Sequence, residues 1–209
     1  MNKMPEDFFN YLLNLSNEEL YEVIFSVWNN SELYTNLYAE YHPLGFIKIE
    51  LTPIIDRSSV SLHIWTKNVV TPIHNHHFDL KSKVIVGEIY DKLFQLKEDE
   101  LGEYRQVCVG YNDVKRTRLL EVMNDNKFSI DNYFSRKIME GDLYKIKKNI
   151  LHNAFTHDFA MTLVYRYNIA EHKSYTVSKN FSSLSIRENY LRQNEVLNIM
   201  QKYKDNICI

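Results

Sequence analysis

The chain has 209 residues, 44% of them hydrophobic and 25% charged, with a formal net charge of −2. This composition supports a single domain with a substantial core, and the near-neutral balance excludes a nucleic-acid partner that depends on a strongly basic surface. No apolar run approaches the ~18–20 residues that span a bilayer, and two cysteines, Cys108 and Cys208, are too few for a disulfide framework.

The first residues, Met1-Asn2-Lys3-Met4-Pro5-Glu6-Asp7, carry acids where a signal peptide has a basic lead and an apolar run. Cys208 is second from the end, so the chain lacks a Cys-a-a-X prenylation signal. The expected setting is the cytoplasm, with a small molecule as partner and neither membrane nor nucleic acid.

Residues 6 to 30 read as two helices. Phe8, Phe9, Tyr11, Leu12 and Leu15 recur at helical spacing. Ser16-Asn17-Glu18-Glu19 forms a capping-box pattern that starts the second helix, which carries Leu20, Val23, Ile24 and Val27. From residue 46 the period changes to two. Phe46, Lys48 and Glu50 alternate with Ile47, Ile49 and Leu51; Val60, Leu62 and Ile64 alternate with Ser61, His63 and Trp65. Strand patterns continue through 82–96, 104–111, 128–138, 142–146 and 159–167, with Gly87, Gly102, Gly110 and Gly141 at or between the runs. Many short strands without alternating helices predict an antiparallel sandwich or barrel. After residue 180 the pattern turns helical. A helix is expected over 184–204, burying Leu191, Leu197 or Met200 against the barrel or a second copy in a homodimer. The expected division is a helical segment over 1–43, a barrel over 44–168 and a helical segment over 169–209.

The densest chemistry lies in Thr71-Pro72-Ile73-His74-Asn75-His76-His77-Phe78-Asp79-Leu80. Strand alternation puts His74 and His76 on one face and His77 on the other. Two such imidazoles can share zinc, iron, copper or nickel. A third ligand is expected at His152, eleven residues after Gly141, because distant strands of a small barrel line one interior. Three neutral imidazoles leave coordination positions open, as catalytic metals require. Asp79 is the nearest carboxylate, a fourth ligand or an acceptor for a ligand N–H. His63 shares a face with Ser61 and Trp65 and is read as a core histidine bonded to a neighbour. Tyr144 and Tyr165 can present hydroxyls to a ligand, Cys108 reads as a small buried residue, and His42, His157 and His172 have no supporting context.

These motifs resemble the cupin superfamily. Its first motif is matched by His74-Asn75-His76 with Gly87 eleven residues later, and its second by Gly141 and His152. The family's glutamate position is filled by Leu80 or Lys81. The resemblance covers roughly residues 44–168 and implies a mainly β fold, a double-stranded β-helix or jelly-roll barrel, with helices at both ends. His42-Pro43-Leu44-Gly45-Phe46 and Ser61-Leu62-His63-Ile64-Trp65 look like a group of uncharacterised bacterial cupins. A more distant likeness is to cysteine dioxygenase. It implies an iron site of His74, His76 and His152, places Lys48 near that family's substrate-carboxylate arginine, and matches its late tyrosine loosely to Tyr165 or Tyr167. That family's ligand-adjacent cysteine has no counterpart after His76. The resulting expectation is a divalent-metal enzyme, dioxygenase-like with Fe(II), or with Zn(II) or Ni(II) at the same ligands. Lys48 or Lys81 would orient a carboxylate and Tyr165 would donate a hydrogen bond. The competing readings are a sensor or binding barrel without turnover, a zinc isomerase or hydrolase, and a structural barrel.

Overall fold

A computed structural model describes residues 4–30, 37–112, 117–170, 174–179, 184–187 and 189–207. His172 and Cys208 lie outside these residues. The elements are α1 (Pro5–Leu13), α2 (Asn17–Asn29), β1 (Ala39–Tyr41), β2 (Ile47–Glu50), β3 (Ser59–Trp65), β4 (Ile73–His74), β5 (Asp79–Val86), β6 (Glu88–Glu98) and β7 (Tyr104–Asn112). They continue with β8 (Thr117–Met139), β9 (Leu143–Ile146), β10 (Leu151–Phe155), β11 (Ala160–Tyr167), β12 (Ser174–Ser178), β13 (Leu184–Arg187), β14 (Asn189–Leu191), α3 (Gln193–Lys202) and α4 (Lys204–Ile207). The fold is mainly β, as expected. One antiparallel sheet runs β14-β1-β2-β3-β11-β5-β9; the other runs β13-β8-β6-β10-β4-β12-β7, with β8 also pairing to β7. This arrangement is consistent with a jelly-roll barrel. Among the described residues, no helix is long and apolar enough to cross a membrane.

Period-two alternation sorts β2, β3 and β11 of the first sheet into two faces, and both are largely buried. Ile47, Ile49, Leu51, Val60, Leu62, Ile64, Leu163 and Tyr165 form one cluster with Phe9, Leu12, Leu20, Ile24 and Trp28 of α1 and α2 and with Val196 and Met200 of α3. The helices therefore cover the apolar face from outside. The alternate residues, among them Glu40, Lys48, Glu50, Ser59, Ser61 and Thr162, are buried on the other face, inside. Local chemistry places the helices. Ser16 Oγ accepts from the Glu19 amide (3.3 Å) while Glu19 Oε2 accepts from the Ser16 amide (2.8 Å), closing the capping box. Trp28 Nε1 donates to the Glu50 carbonyl (2.9 Å) and pins α2 to β2.

The C-terminal segment differs from its expected form. The helix spans Gln193–Lys202, not 184–204, and the stretch expected to be helical from 169 onward carries β12, β13 and β14. The reason is an edge to be filled. β14 pairs with β1, Ala39 opposite Leu191 and Tyr41 opposite Asn189, and so satisfies backbone groups that β1 would leave open. Leu191 is buried on that strand, and Met200 is fully buried on α3.

Gly87 joins β5 of one sheet to β6 of the other at φ +77°, and a Cβ there would overlap the Phe159 carbonyl oxygen. Gly141 has φ +85° but open space around it. Gly87→Ala is expected to destabilise the fold by more than the ~1–3 kcal/mol of left-handed strain alone, and Gly141→Ala by no more than that strain. Denaturant midpoints of the two variants check the ordering; equal midpoints would remove the steric claim.

Candidate metal centre

His74 closes β4, a strand of only two residues, and lies directly opposite His152 of β10 on one side and Thr176 of β12 on the other. β4 ends at His74, so strand alternation, from which His76 was expected to share the His74 face, does not extend to His76. His76 is held instead by its neighbours. The Asn75 amide donates to the Tyr175 carbonyl (2.9 Å), the Tyr175 amide donates back to Asn75 Oδ1 (2.6 Å), and the Asn149 amide donates to the His76 carbonyl (3.0 Å). His76 still converges on the pair. Its Nε2 lies 2.9 Å from His152 Nε2, and the ring centroids of His74 lie 4.8 Å from His76 and 4.5 Å from His152. One ring nitrogen from each of the three lies within 4.8 Å of the others. His77 turns away against Phe78.

The outer nitrogens set the tautomers. His74 Nδ1 bonds the Pro72 carbonyl (2.9 Å), which can only accept, so this nitrogen carries the proton and Nε2 is left with its lone pair. His152 Nδ1 bonds Asp91 Oδ1 (2.9 Å), with the same consequence. Asp91, on β6 and 1% exposed, is held in turn by Arg136 of β8, whose Nε (2.9 Å) and second terminal nitrogen (2.7 Å) donate to Oδ2. A carboxylate fixing a ligand imidazole from behind is the usual support of a bound metal. The donor set therefore fits a divalent ion of the nitrogen-preferring kind.

Burial, and next the charge of His152, bring the His74 pKa from 6.5 down to about 3, against the opposing pull of the Pro72 carbonyl and Asp91. Burial, followed by His74 and His152, holds His76 well below the ordinary imidazole range. Both rings are therefore neutral at pH 7, as metal ligands must be. An unfolded His74 takes up a proton near 6.5, the folded one only near 3. Between those values the unfolded state binds more protons. The His74 contribution is thus fully present above 6.5 and is lost as pH falls toward about 3. In metal-free protein, His74→Gln is expected to flatten the stability decline across that window. Denaturant titrations at a series of pH values check this; an unchanged slope would contradict it.

The other candidate residues are placed as follows. Asp79 does not reach the rings. Its carboxylate accepts from the Lys148 amide (2.9 Å), Asn168 Nδ2 (3.0 Å) and Lys147 Nζ (3.5 Å), tying the loop before His152 to the segment after His76. The carboxylate that fixes a ring of the cluster is Asp91, bonded to His152 Nδ1. Lys81 and Tyr165 lie opposite each other in the β5–β11 register, on the face beneath α1. Lys81 pairs with Glu6 (3.2 Å), and Tyr165 stacks on Phe9 (5.5 Å). Neither faces the histidines, because each is one residue out of phase with the inward set. Tyr144 does face inward. It packs with the interior residues, and burial pushes its hydroxyl up to about 12.

Lys48 is inward, buried and already engaged: its Nζ lies 2.7 Å from Glu50 Oε1, 2.7 Å from the Tyr38 hydroxyl and 4.0 Å from Glu40. Arg166, on the inward phase of β11, completes this group by donating to Glu50 Oε1 (2.5 Å) and Ser59 Oγ (2.6 Å). His63 accepts from or donates to Ser61 Oγ (3.2 Å) and stacks on Phe46, a bonded interior histidine as expected. Asp91 and Arg166 were not singled out from sequence. The signal for both was a charge standing in an inward apolar alternation, Ile89-Asp91-Leu93 and Thr162-Val164-Arg166.

No known family profile and no curated protein matches the chain. Solved structures similar to it include an RmlC-like cupin from Shewanella frigidimarina, at 10% identity and a TM-score of 0.41, over 66% of this chain and 88% of that one. Another is the DMSP lyase DddQ from Ruegeria pomeroyi, at 14% identity and 0.40, over 62% of this chain but only 50% of that one. A third is the polyketide cyclase RemF from Streptomyces resistomycificus, at 15% identity and 0.39, over 71% and 82%. Likeness at this level carries no argument about the site, whose description rests on the distances above.

Proposed function

We propose that this protein is a metal-dependent enzyme acting on a small organic molecule, with His74, His76 and His152 as the ligands of one divalent ion. The observation that supports this reading is the convergence of three ring nitrogens within 4.8 Å, two of the rings fixed in the metal-binding tautomer by Pro72 and Asp91. A ferrous ion, the first choice, would supply dioxygenase-like redox chemistry, and zinc or nickel at the same ligands would supply Lewis acidity.

The chain's own residues prepare the centre. Asp91 keeps the His152 proton on Nδ1, and Arg136 holds the Asp91 carboxylate in place. Phe78 stacks on His76 at 4.7 Å and shields that flank from water. Tyr144, held protonated, is an inward hydroxyl donor in the role that sequence assigned to Tyr165. Lys48 is a poor anchor for a substrate carboxylate, because Glu50 and Glu40 already neutralise it.

Elemental analysis of anaerobically purified protein tests the proposal. The expected result is about one iron per chain, and oxygen consumption that depends on an added small organic substrate. Full-occupancy zinc without oxygen uptake would turn the reading to an isomerase or hydrolase. Trace iron, zinc and nickel alike would end the metal reading.

A further inference from the structure

We propose that the groove between α1, the turn at Asp56-Arg57 and the end of β11 binds a small zwitterion, an ammonium and a carboxylate joined by an apolar body. The site lies outside the metal centre, and the inference does not rest on the metal reading. Two adjoining clefts form the groove. The larger, about 400 Å3, is lined by Glu6, Asp7, Asp56, Tyr165, Tyr167 and Asn168, among others. The smaller, about 230 Å3, is lined by Asp56, Arg57, Lys148 and Asn168. Asp56 and Asn168 are common to both, so one end of the groove is acidic and the other basic. Glu6 is paired with Lys81 (3.2 Å), but among the described residues the side chains of Asp7, Asp56, Arg57 and Lys148 make no ion pair. Burial, and next the charge of Glu6, raise the Tyr165 hydroxyl above its ordinary value, in keeping with a negative field at the acidic end.

Asp56 and Arg57 are neighbours of opposite sign that do not neutralise each other. They are the central residues of a two-residue turn, closed by reciprocal bonds between Ile55 and Ser58 (2.9 Å each), with φ +47° and +60°. Aspartate is common at the first of these positions and glycine at the second, where an arginine is strained. The sequence nevertheless places a guanidinium there. Its Nε donates to the Ile169 carbonyl (2.5 Å), which fixes the side chain and leaves the terminal nitrogens for a carboxylate. An anion alone would leave Asp7 and Asp56 unmatched, and a cation alone would leave Arg57 and Lys148 unmatched. A zwitterion meets both ends without adding net charge. Its apolar body fits the wall formed by Tyr165 and Tyr167, which stack at 5.2 Å.

The groove also touches the loop that holds His76. Asn168 donates to Asp79 (3.0 Å), Asp79 accepts from the Lys148 amide (2.9 Å), and the next amide, of Asn149, donates to the His76 carbonyl (3.0 Å).

NMR titration of the full chain at low salt with three probes of one length, 6-aminohexanoate, hexylamine and hexanoate, tests the proposal. The expected result is that 6-aminohexanoate binds about tenfold or more tightly than either single-charge probe. Arg57→Gly, which suits the backbone of the turn, should reduce 6-aminohexanoate to the level of hexylamine and leave hexylamine unchanged. Lys148→Met, at an exposed side chain, should shift the probes in the same direction and covers the case in which the turn variant does not fold. Asp56→Asn, also compatible with the left-handed backbone, should weaken 6-aminohexanoate and hexylamine and spare hexanoate. Equal binding of the three probes, hexylamine as tight as 6-aminohexanoate, or no saturable binding at all would each overturn the proposal. So would binding of 6-aminohexanoate that none of the variants alters, because the probe would then sit elsewhere.

Discussion

Replacing His76 with alanine is expected to empty the metal centre, whereas replacing His77 is expected to leave metal content unchanged. The residues are adjacent in sequence, so non-specific effects on expression or folding fall on both alike. Only His76 points at His152, with the two Nε2 atoms 2.9 Å apart. His77 packs edge-on to Phe78, and its carbonyl accepts from the Ala170 amide (2.8 Å). Removing one of three nitrogen ligands should cost more than the 10- to 100-fold in affinity that loss of an outer partner costs. Metal per chain after dialysis against a weak chelator, together with a competition titration, measures the effect. Retention of metal by His76→Ala, or its loss in His77→Ala, would mean that the ring on the other side of the backbone is the ligand.

Asp91→Asn is expected to lower metal affinity about 10- to 100-fold without removing any ligand. The amide retains the shape but carries no charge. His152 loses an ionised acceptor at 2.9 Å, and Arg136 loses both of its bonds to Oδ2. Stability should fall as well, by about 1.5–3 kcal/mol, the worth of a hydrogen bond to a charged group. Asp79→Asn supplies the contrast. Asp79 bonds Lys148, Lys147 and Asn168 but no ligand ring, so its loss should loosen the loop and leave metal affinity nearly unchanged. The comparison requires melting curves and metal titrations on both variants. Equal loss of affinity would show that loop position, not ring orientation, governs the centre.

The alternation in β2 and β3 was readable without coordinates because it is local. Ile47, Ile49, Val60, Leu62 and Ile64 must share faces once the chain is extended, and Lys48, Glu50, Ser61 and His63 must share the opposite ones. The capping box at Ser16 was readable for the same reason: its donors and acceptors lie within four residues. His74, His76 and His152 were also legible as a set, through spacing and family resemblance, although His76 is carried by a loop rather than by the strand that was assumed.

What sequence alone did not determine is which partner each polar group meets across the barrel. Lys81 and Tyr165 looked like site residues and are paired with each other under α1. Asp79 was near the histidines in sequence, yet Asp91, from β6, stands behind His152. Lys48 looked like an anchor for a ligand carboxylate and is neutralised by Glu50. β14 took the open edge of β1 where a helix was expected. These differences share one physical cause. Side-chain period is set by neighbouring residues, but inside and outside are set by what covers each face, and here helices bury the apolar face while charges line the interior. Likewise, the partner of a buried charge is set by the register between strands tens of residues apart, a quantity that exists only once the chain has folded.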